Sequence, residues 1–570
     1  MIGAVPLEEF SYGLDLSGAD PASLNDALRA VTLEVMSDPL RMGTLVTSMM
    51  LAQQSVALNA LRRMQGENPP PPAEIASDKR FSDPAWTGNP FLLSMVEEYL
   101  LRRQYAQQMV ESSRLPDPTK RKARFAMNMM MDALAPSNLP WLNPSVIKEA
   151  MNTGGESLVK GLSEMLDDMR NNGGYPKQVD SSPFTLGENL AATEGEVVFR
   201  NELFELIAYT PQTETVYERP ILMSPPWINK YYIMDLAPGR SFVEWAVSRG
   251  HQVFMISYRN PDASMRDFTM DTYFTQGLLT ALDVVQKLTG APQVNLASLC
   301  LGGTMSALLL AYLAAKGEEH RIGSVTLTNT IVDFAEPGDL GVFTDETTIA
   351  RLERQMSEQG FLESSEMAHT FDWMRANDLI WSYVVSNWYM GKKPPAFDIL
   401  TWNADSTRMP AAMHSQYLRA CYLHNLLVVP NAFVLNDAPI DLGKVTTPMY
   451  ILGAEADHIA PWRTSFATSQ YVSGPVRYTR TNAGHIAGIC NPPGNPKSCF
   501  WTNESVEPGE TPDTWLARAR KHQGSWWQDW AAWADAHGGA RRAPYTLPTT
   551  GEPAPGRYVR NETSEATIAW

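Results

Sequence analysis

Cysteine is scarce in this sequence, with 4 among 570 residues, at positions 300, 421, 490 and 499. Their spacing matches neither a metal site nor a disulfide framework, so we expect a reducing cytoplasm and no metal or other cofactor. Basic residues are also in deficit, 46 against 63 acidic ones, which gives a formal net charge of -17. This charge disfavours nucleic acid and anionic membranes as the principal partner.

Long hydrophobic runs are missing as well. No uninterrupted apolar run is long enough to span a bilayer, and the residues that follow Met1 lack the basic and apolar regions of a secretory signal. We therefore expect a soluble protein without a membrane span. The 44% of hydrophobic residues is an ordinary globular share, and 570 residues are enough for two or more compact units.

The periodicity of apolar residues divides the chain near residue 185. Residues 1–185 are predicted to be mainly helical, with apolar residues at three- and four-residue spacing over 21–37 and 89–111. From residue 186 to 570 strand patterns alternate with helices, which predicts an α/β domain with a parallel sheet. The eight predicted strands are 197–199, 205–209, 219–223, 252–257, 294–297, 324–327, 449–452 and 476–479.

Two parts of this second domain depart from the alternation. Residues from about 335 to 440 are helix-prone and aromatic-rich, in the place where an insertion would form a lid over a site at the ends of the strands. A final amphipathic helix is predicted around Trp526, and a Pro/Gly-rich tail that we expect to be extended and partly mobile follows from Arg541.

Residues 294–303 read VNLASLCLGG, an apolar run that ends in small residues with a cysteine at the turn. The Gly-x-Ser-x-Gly pattern of a nucleophile elbow is filled here by Ser298, Cys300 and Gly302. We interpret Cys300 as a nucleophile, because a helix N-terminus favours a thiolate and the N–H of Leu301 would face an oxyanion. The alternative interpretation is a cysteine that only fills the core.

A cysteine nucleophile needs a base to take its proton and an acid to hold that base. Asp457 ends the loop after the seventh predicted strand, and His485 ends a small-residue loop after the eighth. The chain order of nucleophile, acid and base is that of the α/β-hydrolase fold. We predict this fold and a triad of Cys300, Asp457 and His485, and we give the adjacent His458 a supporting role.

The second oxyanion donor is expected in the loop after the third predicted strand, SPPWINK at 224–230. Its two prolines lack N–H groups, which leaves the backbone of Trp227 or Ile228 as the candidate. Asn229 and Lys230 either anchor this loop or contact substrate.

Taken together, these residues resemble the single-subunit polyhydroxyalkanoate synthases, over most of the chain from Phe81 on. One residue departs from the family pattern, which usually has glycine where Ser298 stands, and we expect modest strain there without loss of the elbow. The similar runs are TEG at 193–195, PPWINKYY at 225–232, YRNPD at 258–262, NDLIW at 377–381, FDILTWN at 397–403, DHIAPW at 457–462, GHIAG at 484–488 and NPPG at 491–494.

The resemblance implies that Cys300 is acylated by an (R)-3-hydroxyacyl-CoA thioester, that CoA leaves, and that His485 deprotonates the thiol. For Asp457 it implies one of two roles, which are to assist His485 or to activate the hydroxyl of the incoming unit. It also implies a homodimer in the cytoplasm, attached to the growing polyester granule. Short-chain-like runs at 250–254 and 260–265 favour 3-hydroxybutyryl-CoA over longer monomers.

Two other functions stay open at this point. A thioesterase or polyester hydrolase of the same fold would use water in place of the hydroxyl acceptor and release a free acid. A catalytically silent protein that coats the granule would release no CoA.

Overall fold

The computed structural model describes residues 20–562 and residue 568. The chain divides into two compact units, which we call the helical unit and the sheet unit. The helical unit comprises the described residues up to Asp180 together with Ser365–Ala396, and the sheet unit comprises Ser181–Ser364 and the described residues from Phe397 on. The aromatic-rich insertion predicted at about 335–440 is therefore shared between the two units.

Eight α-helices form the N-terminal part of the helical unit, and proline stands in the first turn of several of them, where its missing N–H costs no hydrogen bond. Asn89 and Asn143 cap two of the helices with side-chain oxygens that accept N–H bonds. The helices are α1 (Pro21–Met36), α2 (Pro39–Met64), α3 (Ala73–Ser77), α4 (Ala85–Gly88), α5 (Pro90–Ser112), α6 (Asp117–Ala133), α7 (Pro144–Asn152) and α8 (Glu156–Asn171).

The segment Ser365–Ala396 completes this unit by packing on α8. It contains the end of a helix that spans Ser364–Met374 and two π-helical stretches, Asn377–Trp381 and Val384–Tyr389. A Cβ placed on Gly161 of α8 would lie 2.0 Å from the carbonyl oxygen of Trp388, so only glycine permits this approach. Beside that contact, the indole N–H of Trp388 donates to Asp168 at 2.8 Å.

The sheet unit is built on a ten-stranded sheet with the order β1-β2-β4-β3-β5-β6-β7-β8-β9-β10. The six central strands, β4 to β8, are parallel, and two antiparallel strands extend the sheet at each edge. The strands are β1 (Gly195–Arg200), β2 (Phe204–Tyr209), β3 (Ile221–Ser224), β4 (Val253–Tyr258), β5 (Val294–Leu299), β6 (Ile322–Thr328), β7 (Met449–Ala454), β8 (Val476–Thr481), β9 (Cys499–Thr502) and β10 (Arg520–Gln523).

Helices cover this sheet, as crossovers between parallel strands require. The most central is α11, whose residues 301–313 are all buried. The larger helices of the sheet unit are α9 (Phe242–Ser248), α10 (Thr280–Thr289), α11 (Leu301–Lys316), α12 (Glu346–Gln359), α13 (Asp398–Ala404), α14 (Ala411–Tyr417), α15 (Trp462–Tyr471), α16 (His485–Ile489), α17 (Pro512–Arg518) and α18 (Trp526–His537).

The α/β class predicted from the sequence is confirmed, and each of the eight predicted strands is found in the central sheet. The sequence did not predict β9 and β10, which are short edge strands, and β10 is exposed along its length. The predicted C-terminal tail is extended beside β1, where Val197 and Ala554 donate backbone hydrogen bonds across the pair. Within the described residues, no helix has the length and apolar character needed to cross a membrane.

Candidate active site

Cys300 stands at the turn between β5 and α11 with a strained backbone, φ 51° and ψ -120°. Two glycines make that turn possible. A Cβ on Gly302 would lie 2.1 Å from the carbonyl oxygen of Ser224, and one on Gly303 would lie 1.9 Å from the hydroxyl of Thr330. Strain of this kind persists only where the surrounding structure fixes it, and it often marks a functional residue. The turn therefore has the geometry of a nucleophile elbow.

Ser298, the residue that departs from the family pattern, lies in β5 and is buried. Its hydroxyl forms a 2.7 Å hydrogen bond with the hydroxyl of Ser306 on α11. The serine side chain is thus accommodated by a polar partner. Among the described residues, Ser298 is not one of those with positive φ. The expectation of modest strain from this serine stays a prediction, and the positive φ of the elbow belongs to Cys300.

Asp457 and His485 form a buried pair at the ends of β7 and β8. The Nδ1 atom of His485 lies 2.6 Å from Oδ2 of Asp457, and the aspartate side chain is fully buried. The other carboxylate oxygen, Oδ1, accepts the backbone N–H groups of Ile459 at 2.9 Å and Ala460 at 2.8 Å. Both carboxylate oxygens are therefore held, which fixes the orientation of the imidazole.

Three influences set the pKa of His485. Burial lowers this pKa, but the negative charge of Asp457 and the interaction with Cys300 raise it, and the net pKa is well above the usual histidine value. The contributions from Cys300 include a side-chain hydrogen bond to His485 as well as its charge. The thiol of residue 300 and the ring of residue 485 are thus brought together.

Two tyrosines from the covering segment, which we define as residues 397–440, lie close to the nucleophile. The hydroxyl of Tyr417 donates to that of Tyr422 at 3.2 Å. Burial is the largest cause that raises the pKa of both phenols, and the charge of Cys300 contributes to each. Both phenols therefore stay neutral beside Cys300, and neither tyrosine was predicted from the sequence as a site residue.

The three candidate oxyanion donors lie around the same turn. Within the described chain, no protein acceptor is recorded for the backbone N–H groups of Leu301, Trp227 and Ile228. Leu301 opens α11 directly after the nucleophile. The loop that carries Trp227 and Ile228 begins at Ser224, whose carbonyl oxygen packs against Gly302. The role of these three N–H groups as oxyanion donors stays a prediction.

His458 lies in the loop after β7, next to Asp457 in the chain. Its backbone carbonyl accepts the N–H of Asp339 at 3.2 Å, which joins the loop after β7 to residues of a neighbouring loop. Its supporting role stays a prediction.

Asn329 is a site residue that the sequence analysis missed. It follows β6 with φ 47°, its N–H donates to Leu452 at 2.8 Å, and its side-chain amide donates to the carbonyl of His485. The neighbouring Thr330 hydroxyl donates to the carbonyl of Cys300 at 3.2 Å. The position of Asn329 at the carboxyl end of a central strand was the signal that could have found it.

Comparison with known proteins identifies the group to which this site belongs. Residues 77–246 match the family model "Poly-beta-hydroxybutyrate polymerase (PhaC) N-terminus", and residues 235–492 match "alpha/beta hydrolase fold". The chain is 41% identical to a poly(3-hydroxyalkanoate) polymerase of Methylorubrum extorquens, over 97% of this chain and 94% of the relative. The chain belongs to the poly(3-hydroxyalkanoate) polymerase family.

Two further relatives in this family are similar over somewhat less of the chain. Poly(3-hydroxyalkanoate) polymerase 2 of Ectopseudomonas oleovorans is 43% identical over 85% of this chain and 86% of its own length. The polymerase subunit of Cupriavidus necator is 41% identical over 85% of this chain and 83% of its own length. Membership confirms the resemblance, the α/β-hydrolase fold and the polymerase, or acyltransferase, function that the sequence predicted.

Proposed function

We propose that this chain polymerises (R)-3-hydroxyacyl-CoA into polyester through a covalent acyl intermediate on Cys300. The observation that carries this proposal is the elbow cysteine beside the His485–Asp457 pair. The Cys300 thiolate attacks the thioester carbonyl, a new C–S bond forms at Cys300, and the C–S bond to CoA breaks. The proton held on His485 then goes to the departing CoA thiolate.

In the second half of the cycle a hydroxyl group attacks the acyl-Cys300 carbonyl. An ester forms, the C–S bond to Cys300 breaks, and the proton of the attacking hydroxyl passes to His485, so that the released thiolate again pairs with an imidazolium. Sulfur suits this cycle because exchange between two thioesters is nearly balanced in free energy, and transfer from a thioester to a hydroxyl is downhill. Asp457 serves either to hold His485 or to activate the attacking hydroxyl, as the sequence analysis left open.

The oxyanion that forms in each half-reaction needs preorganised donors. Leu301 supplies one backbone N–H, and Trp227 or Ile228 supplies the other. Support comes from the unoccupied N–H groups of all three residues and from the packing of Gly302 against the start of the Trp227 loop.

Attachment to the polyester granule is proposed for the helical unit. On α8 a row of exposed apolar side chains follows helical spacing, formed by Leu158, Leu162, Leu166 and Met169. A polyester surface is uncharged and apolar, which suits a chain whose net charge of -17 disfavours anionic lipid. The cytoplasmic location of that granule and the homodimer belong to the same proposal, and light scattering of the purified chain tests the dimer.

The test of the proposed function is the nature of the product. The purified chain receives (R)-3-hydroxybutyryl-CoA or a medium-chain homologue, CoA is measured with a thiol reagent, and the product is recovered as insoluble polymer or as free acid. A polymerase gives CoA together with insoluble polyester, with faster release from the shorter monomer. CoA with free acid alone would indicate a hydrolase, and no CoA release would indicate a silent coat protein.

A further inference from the structure

Lys230 is a buried lysine in the loop that carries the candidate oxyanion donors Trp227 and Ile228. Its side chain is 4% exposed. The ammonium group donates to the carbonyl of Val559 at 2.6 Å and lies 2.6 Å from Oδ1 of Asp405. A buried ammonium is costly unless it is paired and hydrogen-bonded, so these two partners specify where the lysine lies. One cation therefore joins the donor loop to the C-terminal tail and to the covering segment.

The backbone of the same loop is also held by the covering segment. The indole N–H of Trp402 donates to the carbonyl of Lys230 at 2.8 Å. The hydroxyl of Thr407 donates to the carbonyl of Trp227 at 3.3 Å. Contacts at residues 227 and 230 thus fix both ends of the short stretch that carries the candidate donors.

Asp405 is itself oriented by a second loop contact. Its Oδ2 atom accepts the hydroxyl of Tyr232 at 3.0 Å, while Oδ1 faces the ammonium of Lys230. Both oxygens of this carboxylate are used for the donor loop. Asp405 therefore acts as a brace between the covering segment and the loop.

The tail that supplies the other partner is anchored from the opposite side. The backbone N–H groups of Arg557 and Tyr558 both donate to Oε2 of Glu205 at 3.0 Å. Glu205 is fully buried and pairs with Arg200 at 2.5 Å. The carbonyl of Val559 follows directly, so its position is set by a buried ion pair on β1 and β2.

We propose that Lys230 is a positioning residue for the oxyanion site, and that the C-terminal tail and the covering segment act on the reaction through it. Lys230 holds the N–H groups of Trp227 and Ile228 where an oxyanion develops, because preorganised donors stabilise that charge without further rearrangement. This inference rests on the proposed acyl transfer to Cys300. It goes further by making two segments that are distant in sequence part of the oxyanion site.

The test compares two reactions of the same thiol in Lys230→Met. Acylation by (R)-3-hydroxybutyryl-CoA passes through an oxyanion, whereas alkylation by iodoacetamide does not. We expect the first-turnover rate of CoA release to fall roughly 30-fold with KM within about twofold. The rate of Cys300 alkylation is expected to stay within about twofold of wild type, and Lys230→Arg is expected to recover part of the acylation rate.

A matched pair of aspartates provides the control. Asp398 begins α13 and forms an ion pair with Arg240. Asp405 directly follows the end of α13 and forms an ion pair with Lys230. We expect Asp405→Asn to slow acylation severalfold and Asp398→Asn to leave it within about twofold. Should Lys230→Met fail to fold, the difference between these two aspartate variants decides the matter.

Two results would overturn the inference. One is a normal first turnover in Lys230→Met and Asp405→Asn, and the other is a parallel loss of acylation and alkylation, which would place the effect on the thiol itself. Failure of the proposed function looks different, because then the wild-type chain forms no acyl-Cys300 from hydroxyacyl-CoA at all.

Discussion

The helical unit and the sheet unit differ in what they leave on their surfaces. Among the described residues, nearly all the large apolar side chains that are exposed belong to the helical unit, and the sheet unit contributes only Phe397, Val429 and Val434. The sheet unit is the larger of the two, so its size does not explain the imbalance. The sheet unit completes its own core around the nucleophile, whereas the helical unit retains apolar surface that suits a partner.

This contrast predicts that bond chemistry and polymer attachment can be changed separately. The largest effect is expected for Cys300→Ala, because the variant removes the atom that carries the acyl group. CoA release and polymer yield should fall by roughly 10⁴-fold or more, while sedimentation with preformed polyester is unchanged.

The matched control for that variant is Cys499→Ala, which alters a buried cysteine of the same unit outside the elbow. Its CoA release should remain within about twofold of wild type. Substantial polymer synthesis by Cys300→Ala would show that the sheet unit does not use this thiol.

The second prediction concerns the pH dependence set by Asp457. Its charge helps to raise the pKa of His485, so in Asp457→Asn that pKa falls and the imidazolium is lost at a lower pH. Because the imidazolium protonates the departing CoA, the alkaline limb of the pH profile of CoA release should move to lower pH, and the rate of CoA release should drop roughly 10²-fold. An unchanged alkaline limb would contradict the role of the pair.

The third prediction tests the surface of the helical unit. Replacing Leu162 and Leu166 of α8 by glutamate puts charge into the exposed apolar row, and binding to polyester should weaken roughly tenfold or more, since each buried leucine contributes about 1.5–3 kcal/mol. The measurement is co-sedimentation with polymer, with the first turnover of CoA release unchanged.

Lys160→Glu is the control on the same helix, because it changes charge at a residue outside the apolar row that pairs with Glu156 on the exposed surface. Equal loss of binding in this variant would mean that charge, and not the apolar row, determines attachment.

The smallest effect is expected for Ser298→Gly. The variant restores the usual family residue but removes the hydrogen bond to Ser306, so the free energy of unfolding should fall by about 1 kcal/mol with CoA release within about twofold. Thermal unfolding of Ser298→Gly and of Ser306→Ala measures this effect. Both variants remove the same hydrogen bond, so we expect both to lose the same free energy of unfolding. A several-fold gain in CoA release would show instead that serine impairs the elbow.

The sequence predicted those parts of the site that have a local pattern. The elbow at Cys300 has its small-residue motif, and Asp457 and His485 each follow a strand in the expected chain order. Asn329 was given no role, and Lys230 was left between anchoring its loop and contacting substrate, because the partners of both residues lie far away in the chain, at residues 485 and 559. Contacts of that kind leave no periodicity or spacing in one sequence.

The same limit applies to the fold. Alternating strand patterns predicted the central sheet, but β9 and β10 are short, and β10 has no apolar face to give a pattern. The return of Ser365–Ala396 to the helical unit was not predicted either, since its helical, aromatic composition fits both units.

Because Ser365–Ala396 belongs to the helical unit, that unit can be completed only late in the synthesis of the chain. The groove of α8 at Gly161 is filled by Trp388, which is made more than two hundred residues later. A fragment that stops at Asp180 would leave this groove unfilled and would remove the Trp388 indole from the buried Asp168. Proteolysis at any one site can therefore not release an intact helical unit, and separating the two units requires rejoining the chain in a new order.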